Sequence, residues 1–325
     1  MRDLRISVTD RCNFRCTYCM PKEVFGRDYE FLARDQLLTF EEIARIARLT
    51  TSLGATKVRL TGGEPLMRAG LPTLIEMLRA IPGIGDLTMT TNGSLLARRA
   101  DALAQAGLDR VSVSLDATDD ATFRAMNDVE FGVMGVLEGI EAAADAGLGP
   151  VKINTVVRRG VNDHAILEMA RYFRGTGHIV RFIEFMDVGT TNGWRLDDVV
   201  PGHEILGLID AQFPLEPLER AYPGEVASRY RYVDGTGEIG IISSVSAPFC
   251  GDCTRLRLSA EGSIYTCLFA SAGTDLRELI RSEADDAAVV ATLRSVWEER
   301  TDRYSEIRSD GTDGWERIEM SYIGG

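Results

Sequence analysis

Six cysteines fall into two groups of three: Cys12, Cys16 and Cys19 near the start, and Cys250, Cys253 and Cys267 toward the end. The first group reads C-x3-C-x2-C within Thr9-Asp10-Arg11-Cys12-Asn13-Phe14-Arg15-Cys16-Thr17-Tyr18-Cys19. Three thiolates on one short loop can converge on one metal centre. A closed, all-cysteine cluster takes four thiolates. Three on a four-iron cube leave one iron open, and an open metal position marks chemistry rather than structure. The loop therefore points to an iron–sulfur enzyme that binds a small molecule at its unligated iron. The competing reading is a structural zinc site with a distant fourth ligand, but His164, His178 and His203 are the only histidines and none is near in sequence. Clustered cysteines in a cytosolic chain are more often metal ligands than disulfides.

The second group reads C-x2-C-x13-C and contains Cys253-Thr254-Arg255-Leu256-Arg257. Alternate residues of an extended chain project to one face, so Arg255 and Arg257 can point together. Burying two guanidinium groups beside a cluster is unfavourable unless an anion binds there. The sequence leaves three readings open: a second open cluster with substrate on its free iron, an electron-relay cluster with a non-cysteine ligand, or a zinc knuckle. The 36 Lys and Arg against 49 Asp and Glu give a net charge of −13. That balance argues against a general nucleic-acid binder, which needs a basic surface, while a few converging arginines can still hold a small anion.

The elements that must position these groups are those of an α/β protein. With 325 residues, 45% of them hydrophobic, the chain is long enough for one α/β barrel with a sizeable core. Strands are expected at Leu4–Val8, Lys57–Leu60, Leu87–Thr91, Arg110–Leu115, Val151–Val157 and Val180–Phe185. Amphipathic helices alternate with them at Phe40–Leu53, Leu71–Ala80, Leu95–Ala106, Gly135–Ala146 and Ala165–Arg174. Six such units in series predict a parallel sheet with right-handed crossovers. The first cysteine loop follows the first strand, Gly62-Gly63-Glu64-Pro65 the second and Thr90-Thr91-Asn92-Gly93 the third. Ser114-Leu115-Asp116 ends the fourth and Met186-Asp187 follows the sixth. All fall on the C-terminal rim, where such folds carry their active sites. From about residue 200 the pattern changes. A helix is expected at Gly202–Phe213, short β-like pieces at Arg229–Val233 and Ile239–Ser243, and polar helices near Asp275–Arg281 and Ala287–Arg300. Ser309–Gly314 reads as a flexible tail. The expected division is 1–200 for the barrel and 201–325 for a region closing its open side. No apolar run approaches a membrane span, and no signal-peptide pattern opens the chain, which favours a cytoplasmic protein.

The first loop resembles the signature of the radical S-adenosylmethionine (SAM) superfamily, C-x3-C-x2-C with an aromatic before the last cysteine, and Gly62–Pro65 resembles its SAM-binding GGEP segment. Over its whole length the chain is similar to the GTP 3′,8-cyclase family of molybdenum cofactor biosynthesis. The carriers are Thr9–Cys19, Thr61–Met67, Thr90–Gly93, Ser112–Asp116, Arg181–Gly189, Ser243–Arg257 and Tyr322–Gly325. The resemblance implies a partial (β/α)6 TIM-like barrel with a C-terminal auxiliary-cluster region, two 4Fe–4S clusters and SAM. Cys12, Cys16 and Cys19 would hold the cluster that binds SAM, and Cys250, Cys253 and Cys267 the one that faces GTP. SAM would contact Tyr18, Gly62, Gly63, Glu64, Ser114 and Met186. GTP would contact Arg5, Arg59, Thr90, Lys152, Arg255 and Arg257, with Arg181 and Glu184 in support.

The implied reaction is that of a lyase: a 5′-deoxyadenosyl radical removes hydrogen from ribose C3′, the C3′ radical adds to guanine C8, and reduction and protonation give the cyclised dihydro-nucleotide. A reducing electron donor and a downstream cyclic pyranopterin monophosphate synthase are implied as partners, and a homodimer is compatible with the sequence. Gly324-Gly325 is expected to reach the site. The segment Asn127-Asp128-Val129-Glu130-Phe131 is acidic and apolar where many relatives are basic, and no N-terminal extension is expected before Met1. The alternatives are another radical SAM enzyme with an auxiliary cluster, such as a peptide-modifying one, and a zinc-stabilised non-catalytic binding protein.

Overall fold

The computed structural model describes residues 1–282, 284–308 and 316–324. The expected tail at Ser309–Gly314 and the terminal Gly325 lie outside the described residues. The first half alternates β1 (Asp3–Ser7), α1 (Phe40–Thr51), β2 (Lys57–Thr61), α2 (Leu71–Arg79), β3 (Asp86–Thr91), α3 (Ala100–Gln105) and β4 (Arg110–Ser114). Next come α4 (Asp120–Asn127), α5 (Val133–Asp145), β5 (Lys152–Val157), α6 (Ile166–Phe173) and β6 (Ile179–Glu184). The remainder is α7 (Gly202–Gln212), β7 (Leu215–Leu218), β8 (Ser228–Tyr232), β9 (Glu238–Ile242), β10 (Arg255–Leu258), β11 (Ser263–Tyr265) and β12 (Thr274–Asp275). It ends with α8 (Arg277–Arg281), α9 (Asp286–Glu298), α10 (Tyr304–Ile307) and α11 (Met320–Ile323).

Local chemistry explains where these elements start and stop. Thr39 caps α1, accepting from the Glu42 amide at 3.2 Å, while the Glu42 carboxylate accepts from the Thr39 amide at 2.7 Å. Gly54, Gly107 and Gly147, just past α1, α3 and α5, all have positive φ, as expected for left-handed helix ends. Two elements differ from the sequence pattern. The helix expected at Leu95–Ala106 is broken into a 3₁₀ turn at Leu96–Arg98 and the shorter α3. That turn is pressed by α5: a Cβ on Gly139 would lie 2.9 Å from the Gly93 carbonyl oxygen and 3.1 Å from Leu96. The pattern also gave no sign of α4, whose N-cap is Asp119 and which ends at Asp128 in the left-handed conformation.

Among the described residues the sheet has twelve strands in the order β12-β11-β10-β1-β2-β3-β4-β5-β6-β9-β8-β7. The six expected strands are its centre. β10 extends them in parallel beside β1, and β9 does so beside β6. The C-terminal strands therefore add to both edges of the N-terminal unit. The sheet curls, because β1, β6, β9 and β10 all contribute side chains to one interior cavity. Each strand alternates. Leu4 and Ile6 of β1, Val58 and Leu60 of β2, and Val111 and Val113 of β4 are at most 1% exposed and pack into the core shared with Ile43, Ile46, Leu74 and Ile75 of the helices. Burying each such side chain stabilises the fold by roughly 1.5–3 kcal/mol. The intervening residues are polar and face inward: Arg5, Arg59, Ser112, Asn154 and Arg181. The register sets Arg5 beside both Arg257 and Arg59, and Asn154 beside Arg181. The core thus lies outside the sheet, and the interior is left polar. Among the described residues no helix is long and apolar enough to cross a membrane.

Candidate active site

A cavity of about 290 Å³ opens at the strand ends, and all six cysteines line it. The first cysteine loop is fixed from several sides. The Cys16 carbonyl accepts from the Cys19 and Met20 amides, both at 2.9 Å, closing a turn. The Arg15 and Thr17 amides donate to the Asn127 and Met126 carbonyls of α4 at 3.0 and 3.1 Å. From the end of β2, the Gly63 and Glu64 amides donate to the Thr9 and Arg11 carbonyls, both at 2.8 Å. A Cβ on Gly62 would lie 2.4 Å from Thr9 O, and one on Gly63 2.3 Å from Arg11 O. These glycines are what lets the two segments touch. The segment from Asn127 to Phe131 buttresses the same loop, with the Phe14 and Phe131 ring centroids 5.4 Å apart and Lys22 paired to Asp128 at 2.7 Å.

Two buried carboxylates tie this rim together. Glu64 is fully buried and accepts from Leu66 N at 3.0 Å, Thr91 Oγ1 at 2.7 Å and Asn92 N at 2.7 Å, linking the ends of β2 and β3. Burial pushes its carboxyl up to about 7 against these three donors. Asp116 accepts from the Tyr18 hydroxyl and from Val156 N, both at 2.9 Å, and burial likewise raises it to about 7. Burial pushes the Cys12 thiol up to about 11, with the Glu64 charge adding to it, and raises Cys16 and Cys19 as well. Thiols in that setting ionise readily only beside a positive centre, which a bound metal cluster provides. Donors already face the sulfur: Phe14 N and Asn92 Nδ2 point to Cys12 Sγ at 3.4 and 3.8 Å.

The second triplet stands across the cavity. Arg255 Nε points to Cys253 Sγ at 3.3 Å, and Phe269 N to Cys267 Sγ at 3.4 Å. Burial works against the Cys253 thiolate, yet Arg255 and Arg257 outweigh it and hold that thiol below its usual range. Burial raises Cys267 to about 11. Among the described residues no three Cys, His, Asp or Glu side chains close on a single ion. The cavity wall offers the thiols in two sets of three and no histidine, a donor set that fits iron–sulfur clusters.

Between the triplets the interior is cationic. Arg59 Nη1 donates to Thr90 Oγ1 at 3.0 Å and Ser112 Oγ at 3.1 Å, and Arg181 Nη2 reaches the same Ser112 oxygen at 3.0 Å. The Nε atoms of Arg5, Arg59 and Arg181 are buried without a partner among the described residues. Burial first, and then the neighbouring arginines, lower Arg181 to about 9 and Arg257 to about 10. Arg5, Arg59, Arg181 and Arg255 also border a smaller cavity of about 50 Å³, with Lys57, Lys152 and Tyr222. Burial and the surrounding cations depress Lys152 to about 7. Lys57 pairs with Asp86 at 3.4 Å, and Asp3, Glu225 and Glu238 share the smaller cavity's wall, but cations still outnumber them there, and cations packed this densely favour a polyvalent anion.

The chain's end enters the same space. Met320 and Ser321 line the cavity, and Arg257 Nη1 donates to the Gly324 carbonyl. A Cβ on Gly324 would lie 2.2 Å from Thr61 Cγ2, so only glycine fits there. The expectation that the tail reaches the site is met for Gly324.

The radical SAM superfamily description matches residues 6–173, and the Molybdenum Cofactor Synthesis C description matches residues 178–306. A GTP 3′,8-cyclase of Acidothermus cellulolyticus is 54% identical, with 100% of this chain and 97% of that protein aligned. The chain belongs to the GTP 3′,8-cyclase family. A second family member, from Xanthomonas campestris pv. campestris, is 51% identical over 100% of this chain and 95% of its own length. SuiB of Streptococcus suis, solved bound to S-adenosylmethionine, shares the fold at a TM-score of 0.66 and 14% identity, covering 94% of this chain and 67% of that one. Family membership brings with it enzymatic activity and the use of SAM and iron–sulfur chemistry, and the thiol sets described above fit that use.

The structure brings Tyr18, Gly62, Gly63, Ser114 and Met186, and Arg5, Arg59, Thr90, Arg255 and Arg257, onto the wall of the one cavity that all six cysteines line, with Arg255 against Cys253. Two expected site residues sit apart from the main cavity. Glu64 lies behind the rim with its carboxylate bonded to the protein, and Lys152 lies at the smaller cavity. Lys57 was missed by the sequence reading, and Asn92 was placed on the rim within Thr90–Gly93 but given no role of its own. Lys57 carried the same signal as Arg255, since Lys57, Arg59 and Thr61 alternate along one strand. The role of Asn92 had no local signal, because its partners Cys12 and Asn13 come from another strand end.

Proposed function

We propose that this chain is the radical SAM GTP 3′,8-cyclase that its family implies, carrying two 4Fe–4S clusters. The observation that carries the reading is the row of neighbouring arginines Arg5, Arg59 and Arg257, none of them in a salt bridge among the described residues, lining one cavity with two cysteine triplets. When bound, the first cluster supplies the electron that cleaves SAM to methionine and a 5′-deoxyadenosyl radical. Cys12, Cys16 and Cys19 hold that centre, and Tyr18, Gly63, Ser114 and Met186 surround SAM. Cys250, Cys253 and Cys267 would hold the second centre, on the cavity wall beside Arg255 and Arg257. Arg5, Arg59, Lys152, Arg255 and Arg257 bind the triphosphate and so fix the ribose between the two ends.

In that pose the hydrogen on C3′ passes to the deoxyadenosyl carbon, giving 5′-deoxyadenosine. The C3′ radical forms a bond to guanine C8. One electron from an external reductant and one proton complete 3′,8-cyclo-7,8-dihydro-GTP. The product passes to a cyclic pyranopterin monophosphate synthase in the cytoplasm. The deciding experiment is anaerobic incubation of cluster-loaded protein with SAM, GTP and dithionite. Equal 5′-deoxyadenosine and cyclised nucleotide are expected, and 5′-deoxyadenosine with no cyclised nucleotide would overturn the reading.

A further inference from the structure

The smaller cavity stands at the opposite end of the curled sheet from the first cysteine loop. Asp3, Lys57, Lys152, Ile179 and Arg255 on its wall are the first residues of β1, β2, β5, β6 and β10, which run parallel. It adjoins the main cavity, with which it shares Arg5, Arg59, Arg181 and Arg255. The connection between β7 and β8 forms its floor. There Tyr222-Pro223-Gly224-Glu225 make a turn in which Glu225 N donates to the Tyr222 carbonyl at 3.2 Å and Gly224 has φ of +83°. Proline second and a left-handed glycine third fit a type II turn. The turn is pressed against the second cysteine loop. A Cβ on Gly224 would lie 2.8 Å from the Asp252 carbonyl oxygen, and Arg220 pairs with Asp252 at 3.0 Å. The Tyr222 ring centroid lies 4.6 Å from Arg2 Cζ and 5.5 Å from Lys57 Nζ. Glu225 accepts from the Ala221 amide at 2.7 Å, and one buried oxygen of Asp3 has no partner among the described residues. Burial raises the Tyr222 hydroxyl, Glu225 and Asp3 add to this, and Arg59 and Arg181 oppose it. The hydroxyl thus stands between cations and carboxylates and remains a donor.

We propose that Tyr222 and Glu225 are specificity-determining residues that measure the nucleotide's phosphate chain: the turn admits the terminal phosphate of a nucleoside triphosphate and stops a longer chain. The inference deepens the cyclase reading and rests on it for the nucleotide's placement. A water-sized group needs about 10–15 Å³, so a cavity of about 50 Å³ holds about four of them, the size of one phosphoryl group with its oxygens. Lys57, Lys152 and Arg181 on its wall meet that charge, and charge-assisted contacts of this kind are the strong ones. A further phosphate would have to displace the Tyr222 ring and face the carboxylates of Asp3 and Glu225, where like charges in a poorly solvated space repel. A diphosphate would leave the same cations without an anion. Selection of one chain length by cations on the wall and carboxylates at the floor joins an attractive element to a repulsive one. The turn's seat on Asp252, beside Cys253, fixes the floor relative to the second triplet, so the space for the chain has a set length.

The test is anaerobic calorimetry of cluster-loaded full-length protein with GDP, GTP and guanosine 5′-tetraphosphate, in wild type, Tyr222→Ala and Glu225→Gln. Wild type should bind GTP at least about tenfold more tightly than either of the other two, as expected when charged contacts are lost on one side and like charges are met on the other. Tyr222→Ala opens the floor, so the tetraphosphate should come within about threefold of GTP while GDP affinity stays unchanged. Glu225→Gln keeps the ring and removes one charge, so the tetraphosphate penalty should shrink by about threefold. If Tyr222→Ala does not fold, Glu225→Gln carries the test. Wild type that binds the tetraphosphate as tightly as GTP, or that binds none of the three, overturns the proposal. So does an unchanged tetraphosphate penalty in the folded variants, or a parallel loss of all three affinities, which is what a merely structural turn would give. Wild type that selects GTP by chain length yet yields no cyclised nucleotide with SAM and dithionite refutes the cyclase reading and leaves the measuring turn in place.

Discussion

Gly63→Ala isolates the contact that brings the two rim segments together. Gly63 does not have a positive φ, so alanine is compatible with its backbone and the only new feature is one methyl group. That methyl would stand 2.3 Å from the Arg11 oxygen, 2.5 Å from the Arg11 carbonyl carbon and 2.9 Å from the Asp10 oxygen. All three are backbone atoms, so no flexible side chain can yield. Ordinary contact begins near 3.4 Å, so the Arg11 carbonyl has to withdraw by about 1.1 Å. Overpacking of this kind costs roughly 1–3 kcal/mol. At roughly 2 °C per kcal/mol for a chain of this size, Tm of cluster-free protein should fall by about 2–6 °C. Arg11 directly precedes Cys12, so the shift is passed to the first cysteine ligand. A displacement of about 1 Å at a reacting centre costs on the order of a hundredfold in rate, which is the loss expected in 5′-deoxyadenosine formation.

Differential scanning calorimetry of reduced, cluster-free protein gives the stability term, and anaerobic SAM cleavage gives the rate. Gly207→Ala in α7 is the control. Nothing lies within 4 Å of its added Cβ, and it should gain roughly 0.5–1 kcal/mol. An unchanged Tm for cluster-free Gly63→Ala would refute the packing argument, even with SAM cleavage lost, because the glycine would then matter only for contact with SAM.

The buried carboxylates predict a pH dependence. Asp116 sits at about 7 in the fold, above its ordinary 3.8, so its stabilising contribution is complete below about pH 4 and is lost as pH rises through 7. Asp116→Asn, which can keep contacts to Tyr18 and Val156, should therefore gain at least about 1 kcal/mol on wild type between pH 5 and pH 8, read from thermal unfolding of cluster-free protein. A parallel pair of stability curves would contradict this. Lys152, lowered to about 7, is mostly neutral at pH 8, and a bound triphosphate should restore its proton. Calorimetry of GTP binding at pH 8 in buffers of different ionisation enthalpy should show uptake approaching one proton, abolished in Lys152→Arg. Cys12→Ala should abolish SAM cleavage. Cys267→Ala should lower iron from about eight to about four per chain and impair cyclisation while SAM cleavage persists; full GTP conversion in that variant would remove the second centre from the reaction.

Much of the first half was legible because its signals are local. Alternation within Asp3–Ser7 or Lys57–Thr61 marks strands, the Thr39–Glu42 pair marks a helix start, and each motif follows its strand directly in the chain. The cysteine spacings, the two adjacent glycines and the Arg255–Arg257 alternation were likewise readable as residue types on short loops and strands. The helix from Asp120 was missed because its apolar face is short, and the break at Leu96–Arg98 because α5, distant in sequence, presses on it. Lys57 was readable by the argument applied to Arg255, and was overlooked.

Chain order alone therefore establishes which residues can ligate, cap or turn, and on which rim they stand, since these follow from backbone period and neighbour chemistry. It leaves open which distant residues meet. That β10 pairs with β1, setting Arg257 beside Arg5, and that β9 closes on β6 are choices of strand register. So are the enclosure of Glu64 by β3 and the seating of Glu319 on Thr190 and Thr191. Such long-range pairings carry no short-range signal, because their free energy is realised only when the whole sheet curls and its polar faces are buried together.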